Sequence, residues 1–332
     1  MYSKSKTIPL RGSASALCNN LALNRIPEKN LTTHAVVHRS AVNLVTVSGP
    51  VTGEGQQNFH HRQVTCREAG QHTGSMVLQA KWCQLATRNL LVITSQKGVQ
   101  IFEQDGAIMV FWHALGAAES VSGYSTFARG VAPVAGNLIC VGTSSGNVLC
   151  FNIPPKGPNV TLTETMKGHS SAITDITSTG HTGDTVVTAD DSGNIIVWKG
   201  PKFVEVTRIS GSRNPACCVC LWKDTVIAAY STGHIRLFGA ETGNIHAEVC
   251  AHARWISSLD MLPESGLLIS ASEDSYARIW QLKKGYTTEV EHVHSECVTD
   301  IQLCGGKFTS PDGKAFAVTG YDTNEIIYYV QN

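Results

Sequence analysis

The segment GTSSG at residues 142–146 has the Gly-x-Ser-x-Gly spacing of a nucleophilic serine. In enzymes that use this motif, a strand runs into a helix, and the sharp turn between them exposes the serine. Here a second alternating apolar segment, NVLCF, follows directly, and five other segments of the chain contain an equivalent turn. We therefore predict a hairpin turn between two strands and no catalytic serine.

A second group of residues has the types found in zinc sites. His292, His294 and Cys297 lie close together, and Glu291 and Glu296 flank them. On an extended strand, the two histidines would lie on the same face. However, His294 also belongs to a repeated pattern described below, and no further cluster of ligands lies nearby in the sequence. We predict a structural histidine here, with no bound metal and no cofactor.

The cysteines form a third group. The chain has 11 of them, mostly in apolar, strand-like segments. Cys217, Cys218 and Cys220 lie in one such segment, where alternate residues should face opposite sides of a sheet. Core packing of reduced thiols is therefore favoured over a thiolate cluster. Reduced thiols are typical of the cytosol, which makes a cytoplasmic location the expectation.

Composition narrows the class of protein. Of 332 residues, 42% are hydrophobic and 16% are charged, which supplies a folded core and excludes disorder for most of the chain. The 26 Lys and Arg residues balance the 26 Asp and Glu residues, whereas proteins dedicated to binding nucleic acids or anionic membranes normally have a basic excess. No apolar segment approaches the roughly 18 residues of a membrane span. We expect no nucleic-acid partner and no transmembrane segment, so that any membrane association is made through partners.

The chain contains an internal repeat. Six segments align without gaps, each a polar turn followed by an alternating strand that ends on an aromatic residue. Another apolar strand precedes each turn, which predicts one hairpin per repeat. The repeats are 40–49 residues apart, counted between their closing aromatic residues: Phe102, Phe151, Trp198, Phe238, Trp280 and Tyr329.

A second pattern has the same period. His169, His252 and His294 each begin the pattern His-x3-apolar-x2-apolar, with spacings of 83 and 42 residues. Each repeat is therefore predicted to contain a strand, a hairpin of two further strands, and a more variable fourth strand. The sequence shows almost no helical periodicity, so the fold class is all-β.

Four strands in about 40–45 residues, with a histidine near the start of the repeat and an aromatic residue near its end, resemble the WD-repeat β-propeller family. The resemblance implies hydrogen-bonded His–Ser/Thr–Asp–Trp sets that join a loop to two strands. Because such sets recur, we interpret them as architecture and not as catalytic triads. The two sets are predicted to be His252, Ser270, Asp274 and Trp280, and His169, Thr188, Asp191 and Trp198.

The repeat predicts a single seven-bladed propeller over residues 1–332. Its first strands are predicted to begin near residues 31, 76, 127, 172, 216, 255 and 298. The last repeat ends after its third strand, so we expect residues 8–24 to supply the closing strand of blade 7. A ring closed in this way leaves no open edge in its last blade. Residues 48–75, rich in Gly, Gln and His, are predicted to be an exposed loop and an irregular part of blade 1.

Loops that enter the first strands should line one rim of the propeller. Arg254 and Trp255 lie there, and Trp and Arg are enriched where proteins bind one another. Five residues occupy comparable positions in other blades and complete the candidate partner-binding rim: Phe127, Arg129, Arg213, Asn214 and Glu296.

The expected function is that of a non-catalytic scaffold whose partners are other proteins or peptides. The resemblance also implies a cytoplasmic protein at vesicles or beneath the plasma membrane that self-associates and acts in receptor signalling or trafficking. Two alternatives stay open at this point. One is an enzyme with its active site in the propeller channel, and the other is a substrate-recruiting subunit of a larger complex.

Overall fold

The computed structural model describes residues 2–49, 58–66, 74–116 and 126–331. Over these ranges the chain forms strands throughout, with a single 3-10 turn at Pro27–Lys29. The first fourteen strands are β1 (Tyr2–Pro9), β2 (Ala22–Ile26), β3 (Leu31–His38), β4 (Ala41–Ser48), β5 (Phe59–Thr65), β6 (Val77–Gln84), β7 (Asn89–Ser95), β8 (Gly98–Glu103), β9 (Met109–Ala114), β10 (Ala128–Val134), β11 (Leu138–Thr143), β12 (Asn147–Asn152), β13 (Thr161–Lys167) and β14 (Ile173–Ser178). The others are β15 (Thr185–Asp190), β16 (Ile195–Lys199), β17 (Val204–Ile209), β18 (Ala216–Trp222), β19 (Thr225–Tyr230), β20 (His234–Gly239), β21 (Ile245–Cys250), β22 (Ile256–Leu262), β23 (Leu267–Ser272), β24 (Tyr276–Lys284), β25 (Thr288–Cys297), β26 (Leu303–Phe308), β27 (Ala315–Gly320) and β28 (Glu325–Gln331).

The strands form seven four-stranded antiparallel sheets, which are the blades of a ring. Blades 1 to 6 are β2–β5, β6–β9, β10–β13, β14–β17, β18–β21 and β22–β25, and blade 7 has the order β26-β27-β28-β1. The first strand of one blade packs beside the first strand of the next, so these strands surround a central channel. The predicted all-β, seven-bladed propeller, closed by an N-terminal strand, is confirmed.

The prediction that residues 8–24 supply the closing strand is wrong in its position, because that strand is β1, Tyr2–Pro9. Blade 7 is completed by β1, whose pairing with β28 runs from Tyr2 opposite Gln331 to Pro9 opposite Glu325. The apolar residues near position 20 were expected to form the closing strand. They instead lead into β2, the inner strand of blade 1. In β1 only Tyr2 and Ile8 are buried, whereas Lys4 and Lys6 are exposed. Exposed lysines are typical of a strand at a sheet edge.

The predicted starts of two first strands, those of blades 1 and 7, are also wrong. The strand that begins at residue 31 is the second strand of blade 1, and the first strand of blade 7 begins at residue 303 and not near 298. The other five predicted starts lie within one residue of the observed first strands. Within residues 48–75, β5 forms the outer strand of blade 1, while residues 50–57 and 67–73 lie outside the described residues.

The core lies between successive blades, where apolar side chains of one sheet pack on those of the next. Between blades 3 and 4, for example, Cys140 and Val148 pack with Ile176 and Trp198, all of them buried. In addition, the first strands of blades 2 to 7 each contain a β-bulge close to their start. A bulge turns side chains away from regular alternation, and it does so here at the mouth of the channel.

Candidate functional site

Blade 6 contains the fuller of the two predicted hydrogen-bonded sets. His252 Nδ1 lies 3.0 Å from Asp274 Oδ1, and its Nε2 lies 2.8 Å from Ser270 Oγ. Trp280 Nε1 donates to the same Ser270 oxygen over 2.9 Å. Ser270 is fully buried, so this His–Ser–Asp arrangement offers no hydroxyl to a substrate. The set ties the loop before β22 to β23 and β24, which is an architectural role.

The surroundings of Asp274 and His252 also determine the protonation states of these two side chains. Burial opposes ionisation of Asp274, but hydrogen bonds from His252 and from the amides of Ala253 and Tyr276 hold its pKa at about 2. Burial lowers the pKa of His252, although the neighbouring carboxylate acts in the opposite direction. The pair is therefore a neutral imidazole against a carboxylate at neutral pH.

Blade 4 contains the second set, with one residue different from the prediction. His169 Nδ1 lies 2.9 Å from Asp190 Oδ2, and its Nε2 lies 2.6 Å from Thr188 Oγ1. Trp198 Nε1 donates to Thr188 Oγ1 over 2.9 Å. The predicted acid, Asp191, is exposed in the turn that follows. Residues 188 and 190 share a face of β15, which is why the last residue of the strand reaches the histidine.

The Gly-x-Ser-x-Gly segment is the hairpin between β11 and β12. Gly146 has a φ of +83°, and a Cβ atom there would lie 2.5 Å from the carbonyl oxygen of His169. The corresponding glycine in blade 5, Gly233, would meet the carbonyl of His252 at 2.1 Å. The motif thus repeats because each turn fits tightly under the loop entering the next blade.

The histidines proposed as a structural site near residue 294 lie on β25, the outer strand of blade 6. His292 Nε2 lies 2.8 Å from Ser295 Oγ, and His294 Nε2 lies 3.2 Å from Glu296 Oε2. His294 therefore does not start a blade, and Glu296 is not on a loop entering a first strand. Over the described ranges, no group of three or more His, Cys, Asp or Glu residues is arranged to hold a metal ion.

The channel carboxylates are engaged in hydrogen bonds that hold the ring together. Asp175 accepts from the backbone amide of Val219 in blade 5 over 3.0 Å. Asp260 lies 2.8 Å from Lys307 Nζ and accepts from the amide of Phe308 over 3.0 Å. Both line a cavity of about 230 Å³ in the channel. Each of the two carboxylates therefore links its own blade to the next blade of the ring.

One mouth of the channel is crossed by residues 10–21, which we call the strap. The strap leaves β1 with a hydrogen bond from the amide of Leu10 to the carbonyl of Asn324, 2.7 Å away in blade 7. It then reaches the channel, where the amide of Asn19 donates to the carbonyl of Ser257 in blade 6 over 2.7 Å. Beyond this point the chain enters β2, so the strap passes from the outside of blade 7 to the inside of blade 1.

Beside the strap lies an open pocket of about 260 Å³, which we call the mouth pocket. Two of the predicted rim residues meet in it, Arg129 from blade 3 and Trp255 from blade 6. Arg254 and Arg213 are exposed on loops, whereas Phe127 and Asn214 are partly buried. The remaining polar, sulfur-containing and aromatic lining comes from Cys18, Ser257, Glu273, Gln302, Cys304 and Tyr321.

Two of the lining residues could have been predicted from the sequence. Glu273 and Tyr321 lie in the turns between the second and third strands of blades 6 and 7, inside the aligned hairpin segments. In a propeller these turns flank the loops that enter the first strands, so both kinds of loop belong to one rim. Cys18 and Gln302 had no comparable signal, because their position depends on the path of the strap and on the true start of β26.

A ring of seven antiparallel blades with His–Ser/Thr–Asp–Trp sets defines a WD-repeat β-propeller. Within that class the chain belongs to the WDR54 family, whose sequence model matches residues 1–331. It is 43% identical over 337 aligned residues to WD repeat-containing protein 54 of Mus musculus, and 44% identical over 335 residues to that of Homo sapiens. These alignments cover 99% and 98% of this chain and the same shares of the relatives.

Solved structures agree with the fold. The WD40 β-propeller domain of Doa1 superposes with a TM-score of 0.72 at 15% identity, covering 100% of this chain and 97% of that one. The structure of U3-55K gives a TM-score of 0.72 at 18% identity, with coverage of 99% and 100%. Among the residues that the structure describes, none form a helix with the length and apolar character needed to cross a membrane.

Proposed function

We propose that this protein is a non-catalytic interaction scaffold that binds a peptide segment of a partner protein at the mouth pocket. The observation that carries the proposal is the convergence of Arg129, Trp255, Glu273 and Tyr321 from three blades on one open pocket. Trp, Tyr and Arg are the residue types most enriched at binding hot spots. Tyr321 is 52% exposed, so it is accessible to a partner.

The size of the pocket favours a peptide side chain over a small-molecule substrate. Its volume of about 260 Å³ is below the roughly 300–1,000 Å³ of typical small-molecule sites. Strand ends and short turns of a closed ring form most of its walls, and residues 16–18 of the strap form the rest. Little conformational entropy is lost when a partner binds to walls that are already in place. Arg129 and Glu273 provide both signs of charge, which allows the pocket to orient a bound segment.

The finer functional statements rest on the resemblance to WD repeat-containing protein 54. The proposed scaffold is cytoplasmic, acts at vesicles or the plasma membrane in receptor signalling or trafficking, and self-associates. Full-length similarity to the WDR54 relatives supports this extension. Membrane fractionation before and after receptor stimulation tests the location, and light scattering over a range of protein concentrations tests self-association.

The binding site is tested by proximity labelling in cells, followed by titration calorimetry with a purified fragment of each protein found. Trp255→Ala and Glu273→Lys are expected to weaken direct binding by about tenfold or more, as loss of a hot-spot residue does. The matched control is Glu264→Lys, the same charge reversal in blade 6 between β22 and β23, where the side chain is exposed. Arg254→Ala tests whether the exposed neighbour of Trp255 also takes part.

Retention of full affinity by Trp255→Ala and Glu273→Lys would overturn the mouth pocket as the binding site. A thermal melt of each variant is the control for folding. If Trp255→Ala melts early, Glu273→Lys decides the question, because Glu273 is partly exposed in a turn.

A further inference from the structure

Three thiols meet where the strap crosses the mouth of the channel. Cys18 belongs to the strap, whereas Cys217 and Cys218 lie in β18 of blade 5. Cys18 packs against the apolar cluster that contains both of the others. The Cys217 thiol lies 3.5 Å from the carbonyl oxygen of Pro215, and the Cys218 thiol lies 3.3 Å from that of Ser257. Residues from two distant parts of the chain thus meet in one cluster.

A bulge explains how two consecutive residues can reach the same partner. In a regular strand, Cys217 and Cys218 would face opposite sides, which is the reason core packing was expected for them. The pairing of β18 with β19 instead steps from Ala216 opposite Tyr230 to Cys218 opposite Ala229. Cys217 is therefore the extra residue of a bulge, and both thiols can contact the strap.

The three cysteines differ in access. Cys18 is partly exposed and lines the mouth pocket, while Cys217 and Cys218 are buried. Only the strap thiol can therefore meet a reagent from solvent, and the two buried thiols lie behind it. This is the arrangement of a reactive cysteine with a resolving cysteine beside it.

The three cysteines also differ in charge. Interactions with the side chains of Cys217 and Cys218 and with the nearby Arg129 guanidinium hold the pKa of Cys18 well below its usual range, although desolvation acts in the opposite direction. Burial raises the pKa of Cys217 and of Cys218, and the charge at Cys18 raises both further. Of the three thiols, only that of Cys18 lines the mouth pocket together with Arg129, and it is therefore the nucleophile.

We propose that Cys18 is a site of two-electron oxidation, and that it ends as a disulfide with Cys217 or Cys218 that fastens the strap to blade 5. The oxidant is a peroxide, with hydrogen peroxide as the simplest example. The inference is independent of the binding partner, because it concerns the covalent state of the strap.

The reaction balances in two steps. The Cys18 thiolate attacks one oxygen of hydrogen peroxide, the O–O bond breaks, and the other oxygen leaves as hydroxide, which takes up a proton to become water. Cys18 is then a sulfenic acid. The thiol of Cys217 or Cys218 attacks its sulfur, the S–O bond breaks, the S–S bond forms, and a second water carries away the oxygen with the thiol proton. Two thiols lose two electrons in total, and one peroxide gains them.

The test uses the full-length reduced protein, a small excess of hydrogen peroxide, rapid alkylation of the remaining thiols, and tryptic digestion without reduction. The expected product is a linked pair of peptides, residues 12–25 and residues 214–223, each ending at a tryptic site. Cys250 and Cys297 are the internal controls, since both are exposed. They are expected to be oxidised after Cys18.

Matched variants separate the proposed chemistry from general exposure. Cys18→Ser should abolish the linked peptides, whereas Cys250→Ser should leave them unchanged. Arg129→Gln should slow alkylation of Cys18 at mildly acidic pH by about tenfold for each unit by which its pKa rises, and Arg129→Lys should restore much of the rate.

The proposal is overturned if Cys250 and Cys297 react first and no peptide pair contains Cys18. It is also overturned if Cys18 is oxidised only to sulfinic acid, because that product means that no thiol reaches it. Mapping of the wild-type protein decides these outcomes even if Cys18→Ser fails to fold.

Discussion

Asn19 in the strap donates a hydrogen bond from its side-chain amide to Oδ2 of Asp175 in blade 4, 3.1 Å away. The strap joins blade 7 to blade 1, so this contact spans the channel to the opposite side of the ring. The same carboxylate oxygen accepts from the amide of Val219 in blade 5. A single buried aspartate therefore connects two neighbouring blades to the segment that closes the ring.

We predict that Asn19→Gly destabilises the fold by about 1–3 kcal/mol, because a buried carboxylate loses a donor. Glycine is the appropriate substitution, since Asn19 has a φ of +54° and alanine would add backbone strain. Asn30→Gly is the matched control, because Asn30 has a φ of +49° but is exposed. Urea unfolding measures both variants. Equal, small effects of the two substitutions would show that the bond to Asp175 adds no stability.

We also predict that removal of residues 1–9 opens blade 7 and leads to association between copies. Without β1, the backbone groups of β28 lack their partner strand, and an unpaired edge is a template for pairing with other chains. Light scattering and a thermal melt of the truncated protein measure the effect. A truncated protein that stays monomeric and melts like the intact one would contradict this role of β1.

Point variants test the same strand without an open edge. Ile8 is fully buried, and Ile8→Ala is expected to cost about 2–4 kcal/mol through the cavity that it leaves. Lys4→Ala, at an exposed position of the same strand, is expected to change stability by less than about 0.5 kcal/mol. A comparable cost for both would mean that β1 is held by its backbone pairing alone.

The features that the sequence could predict are local and periodic. Alternation of period two and a closing aromatic residue mark each central hairpin, so five first strands fall within one residue of their predicted starts. The closing strand was misplaced because β1 carries lysines at its outward positions and has little apolar character. The mouth pocket is lined by residues far apart in sequence, such as Arg129 and Trp255, and no periodicity in the sequence predicts that they meet.

Asp190 and Asp191 provide a direct test of the set in blade 4. Asp190 is fully buried against His169, whereas its neighbour is exposed. We predict that Asp190→Ala costs at least about 1–3 kcal/mol, because the buried imidazole of His169 and the amide of Asn194 both lose an acceptor. Asp191→Ala should cost less than about 0.5 kcal/mol. Chemical denaturation of the two variants measures the difference, and a reversed order would restore Asp191 as the acid of the set.

The set in blade 6 predicts how stability depends on pH. The pKa of Asp274 is about 2 in the folded protein and about 3.9 in an unfolded chain. The unfolded state therefore takes up a proton first as the pH falls, and stability is lost between about pH 5 and pH 2. His252 acts in the same direction at higher pH, because burial lowers its pKa and the unfolded chain is protonated first below about pH 6.5.

Asp274→Asn isolates the contribution of the carboxylate, since asparagine keeps the shape of the side chain but cannot ionise. We predict that this variant is less stable than the wild type by about 1–3 kcal/mol near neutral pH. The gap should narrow as the pH falls towards about 3, where the wild type loses the advantage of its ionised Asp274. Urea midpoints measured across this range decide the matter, with Asp191→Asn as the exposed control. A gap that stayed constant down to low pH would mean that the Asp274 carboxylate does not stabilise the fold through its charge.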